Sequence, residues 1–115
     1  MRAERREKVK FLTISKVRDS AALCPPTVMR QMMEATAAWM DGLKKAGKLL
    51  EAYSIPGGSV AVICEHPDAD DAAQTIASIP IGAFMDNEVY ALADLDAVMK
   101  VEIENLKQAE QLMKK

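Results

Sequence analysis

The chain has 115 residues, half of them apolar, and its 15 Lys and Arg against 17 Asp and Glu give a formal net charge of −2. That length suits a single domain, and so small a charge gives no long-range attraction for nucleic acid or anionic lipid. The two cysteines and one histidine are too few ligands for a structural zinc site. Because no apolar run approaches the roughly 20 residues of a membrane span, we expect a soluble, cytoplasmic protein with no nucleic-acid or membrane partner.

The first half of the chain predicts a strand followed by a long helix. After a charged leader over residues 1–8, the β-branched and aromatic stretch 9–17 predicts a strand. Pro25-Pro26 then marks a helix start, and apolar residues recur at steps of three or four over residues 27–46. Gly47 follows that segment, and glycine is the cheapest residue for the left-handed turn that ends a helix. The segment 27–46 is therefore predicted to be a helix.

The second half predicts a hairpin, a short helix, another strand and a last helix. Residues 48–55 and 59–65 form the hairpin around a Pro-Gly-Gly turn. Asp68 is suited to cap a short helix over about 69–78. A strand is expected over 87–93, and an amphipathic helix runs from there toward Lys114.

This order of elements predicts an α+β fold of the ferredoxin-like type, βαββαβ, with a four-stranded antiparallel sheet and both crossing helices on one face. We expect one domain over residues 9–95, with residues 96–115 as a C-terminal amphipathic helix of the same domain. The layout leaves the other face of the sheet bare, and a second copy of the chain is its commonest cover. A homo-oligomer, either a dimer or a larger assembly of dimers, is therefore expected.

Strand parity predicts which side chains lie on the bare face. Side chains alternate between the two faces of a strand, so Glu51 and Tyr53 share a face with Leu49, as Glu88 shares one with Tyr90. The alternate positions are the sets that contain small residues, which suit close contact with helices, and one β-bulge would invert the assignment. A carboxylate enclosed between two copies would lose water, and its pKa would rise toward that of a proton shuttle. Glu51 and Glu88 are thus candidate bases, with Tyr53 and Tyr90 as substrate-binding donors, unless all four are solvated rim residues.

His66 is the remaining candidate for the substrate site. It is the only side chain with an unperturbed pKa near neutrality, although its place before Pro67 is also typical of an exposed loop histidine. Cys64 is expected in the core, and Cys24 is expected to be an ordinary thiol because no basic residue adjoins it. No metal, nucleotide or Ser-His-Asp pattern is present, so no cofactor is expected.

Residues 9 to about 95 resemble the muconolactone isomerase-like family of the dimeric α/β-barrel superfamily. The resemblance is carried by the segments Phe11-Leu12, Pro25-Pro26, Gly47-Lys48, Ile79-Pro80-Ile81, Phe84-Met85-Asp86, Glu88-Val89 and Leu92. It implies a subunit that dimerises sheet to sheet, and a cofactor-free enzyme that moves a proton to shift a double bond within a small unsaturated lactone. Of the candidate bases, Glu88 alone lies in a matching segment.

Three hypotheses follow for the function. The first is a small-molecule site in a homo-oligomeric barrel, with proton-transfer isomerisation of a small unsaturated lactone or carboxylate as the reaction. The alternative is a non-catalytic binding or assembly protein that associates through its C-terminal helix. A third is an oxygenase or haem-binding relative, for which His66 is the only imidazole ligand available.

Overall fold

The computed structural model describes residues 8–114, so most of the predicted leader lies outside the described residues. The strands are β1 (Val9–Val17), β2 (Leu49–Ile55), β3 (Ser59–His66) and β4 (Met85–Leu92). The helices are α1 (Pro26–Lys45), α2 (Ala69–Ala77) and α3 (Leu95–Met113). Two short 3-10 helices complete the list, at Asp19–Leu23 and Gly82–Phe84.

The four strands form one sheet in the order β2-β3-β1-β4, and every neighbouring pair is antiparallel. With α1 between β1 and β2 and α2 between β3 and β4, this is the ferredoxin-like arrangement followed by a C-terminal helix. The predicted fold class is therefore confirmed.

The core lies between one face of this sheet and the helices α1 and α2. On the central strand β1, Phe11, Thr13 and Ser15 are buried, whereas Leu12 and Ile14 between them are only half-buried. The alternation follows the two-residue period of a strand. The two faces of the sheet are thus distinguished by burial, and the side of Leu12 and Ile14 is called the open face below.

The ends of α1 follow the local signals in the sequence. Its first residue is Pro26, where the missing amide hydrogen costs nothing. At the other end Gly47 adopts φ 75°, and its amide donates to the carbonyl of Lys44 at 3.0 Å while that of Lys48 donates to Leu43 at 2.9 Å. These two bonds satisfy carbonyls that the helix leaves without partners. The predicted helix end is confirmed.

The edge strand β2 contains a β-bulge, which changes the alternation of its side chains between the two faces of the sheet. The pairing with β3 shifts between Leu49 and Glu51, so that Leu49 lies opposite the buried Cys64 and is itself 5% exposed. The prediction that Leu49 shares a face with Glu51 is wrong, because the extra residue turns Leu49 toward the helices. From Glu51 onward the strand keeps its alternation, and Glu51 and Tyr53 lie opposite Ile63 and Ala61.

The helix α3 extends away from the sheet. It makes no extensive contact with any other element of the described chain. The radius of gyration is 19.6 Å, whereas a compact domain of this length has about 13 Å. Asp94 caps the helix by accepting from the amide of Ala97 at 3.0 Å. Eight of its apolar side chains are 42–85% exposed: Leu95, Val98, Met99, Val101, Ile103, Leu106, Leu112 and Met113. Within residues 8–114, neither α3 nor any other helix combines the length and apolar character needed to cross a bilayer.

Candidate functional site

The open face carries two rows of side chains that run across all four strands. One row consists, from edge to edge, of Glu51, Ile63, Leu12 and Tyr90, and the adjacent row consists of Tyr53, Ala61, Ile14 and Glu88. The middle of each row is apolar, and each edge carries one carboxylate and one phenol. Both candidate Tyr–Glu pairs therefore lie on the open face, at opposite edges of the sheet.

Within each pair the phenol donates a hydrogen bond to the carboxylate two residues earlier on the same strand. Tyr53 Oη donates to Glu51 Oε1, and Tyr90 Oη donates to Glu88 Oε2 at 2.5 Å. Each bond, together with the negative charge of the carboxylate, raises the pKa of the tyrosine. The phenols therefore remain protonated donors at neutral pH, and each fixes one carboxylate oxygen while leaving the other available.

A single chain does not bring the two pairs together. Glu51 is on β2 and Glu88 is on β4, and β3 and β1 lie between these edge strands. Three strand spacings separate them, about 14 Å. The tyrosines Tyr53 and Tyr90 are 58% and 46% exposed. Within one chain, then, the open face offers two separate and solvent-exposed acid–phenol pairs.

His66 lies apart from these residues, on the other face of the sheet. It is the last residue of β3 and is 2% exposed, so the interpretation as an exposed loop histidine is wrong. Its Nδ1 donates to Asp71 Oδ2 of α2 at 2.9 Å, and its ring meets that of Phe11 edge-on at 5.6 Å. The hydrogen bond from His66 holds the pKa of Asp71 below its ordinary value. His66 thus joins the end of β3 to α2 and does not lie beside either Tyr–Glu pair.

A cavity that the strand pattern did not reveal lies between the sheet and the helices. It has a volume of about 90 Å³, and most of its lining is apolar, including Trp39 and Met40 of α1, Val60 and Val62 of β3, and Ile76 of α2. The lining residues with polar side-chain groups are Thr13, Ser15, Thr36 and Thr75, which carry hydroxyls, the thiol Cys64, and Trp39 with its indole N–H. The sequence signal for this cavity is the presence of small hydroxyl residues at inward positions of β1. They fill less space than the aliphatic residues usual in a core.

The cavity contains little acid–base chemistry of its own. Among the described residues that line it, Cys64 is the only titratable one, and burial raises the pKa of that thiol, so it stays protonated near neutral pH. Across residues 8–114, no group of three or more His, Cys, Asp or Glu side chains is placed to hold a metal ion. The cavity is therefore suited to an apolar group, whereas the candidate carboxylates Glu51 and Glu88 lie on the open face.

Comparison with known proteins agrees with this arrangement. The family model described as muconolactone delta-isomerase matches residues 9–98, which include the whole sheet and both of the helices packed on it. A search of the curated proteins finds no match. Since the family match covers most of the chain, this protein belongs to the muconolactone delta-isomerase family.

Proposed function

We propose that the protein is a homo-oligomeric, cofactor-free isomerase that moves a proton within a small unsaturated lactone or carboxylate. The observation that carries the proposal is the presence of two Tyr–Glu pairs on the sheet face that the helices leave uncovered. Membership of the family supports an isomerase-like fold that binds small molecules, and members of the family are homo-oligomers. A second copy over the open face would exclude solvent from the Tyr–Glu pairs, which are exposed in the single chain.

The proposed reaction needs one base and one hydrogen-bond donor. The free carboxylate oxygen of Glu51 or Glu88 takes a proton from a carbon next to the unsaturated carbonyl system. The electron pair of the broken C–H bond delocalises onto the carbonyl oxygen, where a tyrosine hydroxyl that turns its single proton from the carboxylate to the substrate stabilises the negative charge. The same carboxyl group then returns the proton to the far end of the delocalised system, and the double bond has moved. No other reactant is consumed, and the base ends in its starting form.

Replacing each carboxylate by its amide tests this assignment. Glu51→Gln and Glu88→Gln keep the size of the side chain and an acceptor for the tyrosine, but neither can take up the proton. We expect loss of turnover by at least about 100-fold, with a melting temperature within a few degrees of the wild type because both positions are exposed. The assay is proton–deuterium exchange and double-bond migration in small unsaturated lactones, followed by NMR in heavy water.

Asp86→Asn is the matched control for this experiment. Asp86 is also on β4, but it pairs with Arg18 at 2.7 Å and accepts no tyrosine hydroxyl. Its replacement is expected to leave turnover unchanged. Wild-type rates in both glutamine variants would exclude Glu51 and Glu88 as bases.

The exposed apolar surface of α3 favours a second candidate function, association with a partner through that helix. Most of α3 lies beyond residue 98, where the family match ends. Deleting residues 99–115 should then abolish association, measured by light scattering, while the circular dichroism of the sheet is retained. Replacing Lys107, on the polar side of α3, with Gln is the control and should leave association unchanged. If the number of chains per particle is the same after the deletion, this role for α3 is ruled out.

A further inference from the structure

The cavity between the sheet and the helices contains a hydroxyl group that no other group of the described chain uses. Thr13 lies at an inward position of β1, lines the cavity and is 8% exposed. Among residues 8–114 its hydroxyl has no hydrogen-bond partner. Every fully enclosed side-chain nitrogen or oxygen of those residues does have a partner. The Thr13 hydroxyl therefore faces open space, and the space that Thr13 lines is the cavity.

The other strong hydrogen-bond donors of the cavity wall already have partners within the protein. Four of them donate to protein acceptors over 2.6–3.2 Å: Ser15 to the side chain of Asn87, Thr36 to the carbonyl of Met32, Thr75 to the carbonyl of Asp71, and Trp39 to the hydroxyl of Ser78. The thiol of Cys64 is only a weak donor. A buried hydroxyl without a partner is unfavourable, so Thr13 offers a hydrogen bond to a molecule that enters the cavity.

The size and lining of the cavity restrict the molecules that fit. Its volume is about 90 Å³, whereas an apolar cavity of about 150 Å³ holds benzene, so a molecule of about four non-hydrogen atoms fits. None of the described lining residues is ionised at neutral pH, and a charged molecule would lose its hydration there without a counter-charge. Water is held poorly, because a buried water needs two to four polar partners and the wall offers one strong donor that is unused.

We propose that this cavity binds a small neutral molecule, a short-chain ketone or alcohol, whose single oxygen forms a hydrogen bond with the hydroxyl of Thr13. The hydroxyl donates to a ketone oxygen, and with an alcohol it either donates or accepts. The carbon atoms of the ligand contact the apolar walls, which include Trp39 and Val62. This site lies on the opposite face of the sheet from Glu51 and Glu88, so it goes beyond the proposed function and does not depend on it.

Three probes of one shape separate the hydrogen bond from the apolar contacts and from charge. Acetone carries the ketone oxygen, isobutene replaces that oxygen with a methylene group, and acetate replaces a methyl group with a charged oxygen. Each is titrated into the full chain, with isobutene dissolved under pressure, and the methyl resonances of Val62 and Ile76 in the cavity are followed by NMR. Ile14 and Ile63 on the open face serve as internal references. We expect saturable shifts from acetone and isobutene in the cavity alone, and none from acetate.

Thr13→Val removes the hydroxyl and keeps the shape of the side chain. The affinity for acetone should fall roughly 3- to 10-fold, as expected for one neutral hydrogen bond, while the affinity for isobutene should stay equal or increase. Thr75→Val is the matched control, because Thr75 lines the same cavity but its hydroxyl donates to the carbonyl of Asp71. It should leave the affinity for acetone within about twofold of the wild type.

The melting temperature of Thr13→Val gives a second test of the same assignment. It should be no lower than that of the wild type, because the hydroxyl has no protein partner to lose. A clear loss of stability, or a failure to fold, would show that the protein itself uses this hydroxyl and would overturn the proposal. The absence of saturable acetone shifts in the cavity, equal acetone affinity in the wild type and Thr13→Val, or acetate binding as tight as that of acetone would overturn it as well. None of these measurements involves lactone turnover, so a failure of the proposed function leaves their outcome unchanged.

Discussion

Filling the cavity between sheet and helices should stabilise the protein, and Val62→Ile is the substitution that does so. Val62 lies on β3, lines the cavity and is half-buried. At about 24 cal/mol per Å³, a cavity of about 90 Å³ costs about 2 kcal/mol of folding free energy. One added methylene group gains about 0.8 kcal/mol by leaving water and also fills part of that space. We expect about 1 kcal/mol of added stability.

Urea and thermal unfolding measure this effect directly. A gain of about 1 kcal/mol raises the melting temperature by about 4 °C in a domain of this size. Val101→Ile is the matched control, because it adds the same group at a position on α3 that is 60% exposed and does not line this cavity. Its effect should stay within about 0.5 kcal/mol. If Val62→Ile is no more stable than Val101→Ile, or is less stable than the wild type, the space does not exist as described.

Three other substitutions test local features of the fold. Because the hydrogen bond from His66 lowers the pKa of Asp71 below 3.8, the carboxylate stabilises the fold above that value and loses this effect as pH falls through its lower folded pKa. Asp71→Asn should therefore melt several degrees below the wild type at neutral pH, and thermal scans should show the difference closing on acidification. Gly47→Ala places a side chain at φ 75° and should cost about 1 kcal/mol in urea unfolding. Asp94→Ala removes the cap of α3 and should weaken that helix by about 1 kcal/mol, seen as faster hydrogen exchange at its first turn.

The elements that the sequence predicted well are those with strong local signals. The helix α1 starts at a proline and ends at Gly47, and both residues act through their own backbone preferences. The central strand β1 was predicted with the bounds Val9–Val17 because its β-branched and aromatic residues favour extended backbone. By contrast, β4 starts at Met85, two residues before the predicted start, since pairing with Val17 extends it. The sequence predicted no regular element at the 3-10 helix Asp19–Leu23.

The features that the sequence did not reveal depend on contacts between distant elements. His66 looks like a loop residue beside Pro67, and its burial becomes evident only when α2 brings Asp71 to it. The bulge at Leu49 involves a contact with the neighbouring strand, because it places Leu49 opposite Cys64 with both side chains buried on the helix side. The distance between the two Tyr–Glu pairs follows from the strand order, which places β2 and β4 at opposite edges.

The two faces of the sheet carry different side-chain chemistry. The described residues that line the cavity on the helix side hold four hydroxyls and a protonated thiol, so none of them is ionised at neutral pH and can accept a proton. On the open face each carboxylate has one oxygen fixed by a phenol, but water reaches both pairs in the single chain. A carboxylate in water is a weak base, and removal of solvent is one way in which a protein makes such a group a better base. If the carboxylates act as proposed, proton transfer on the open face would require a second chain to cover it, and activity would then depend on assembly.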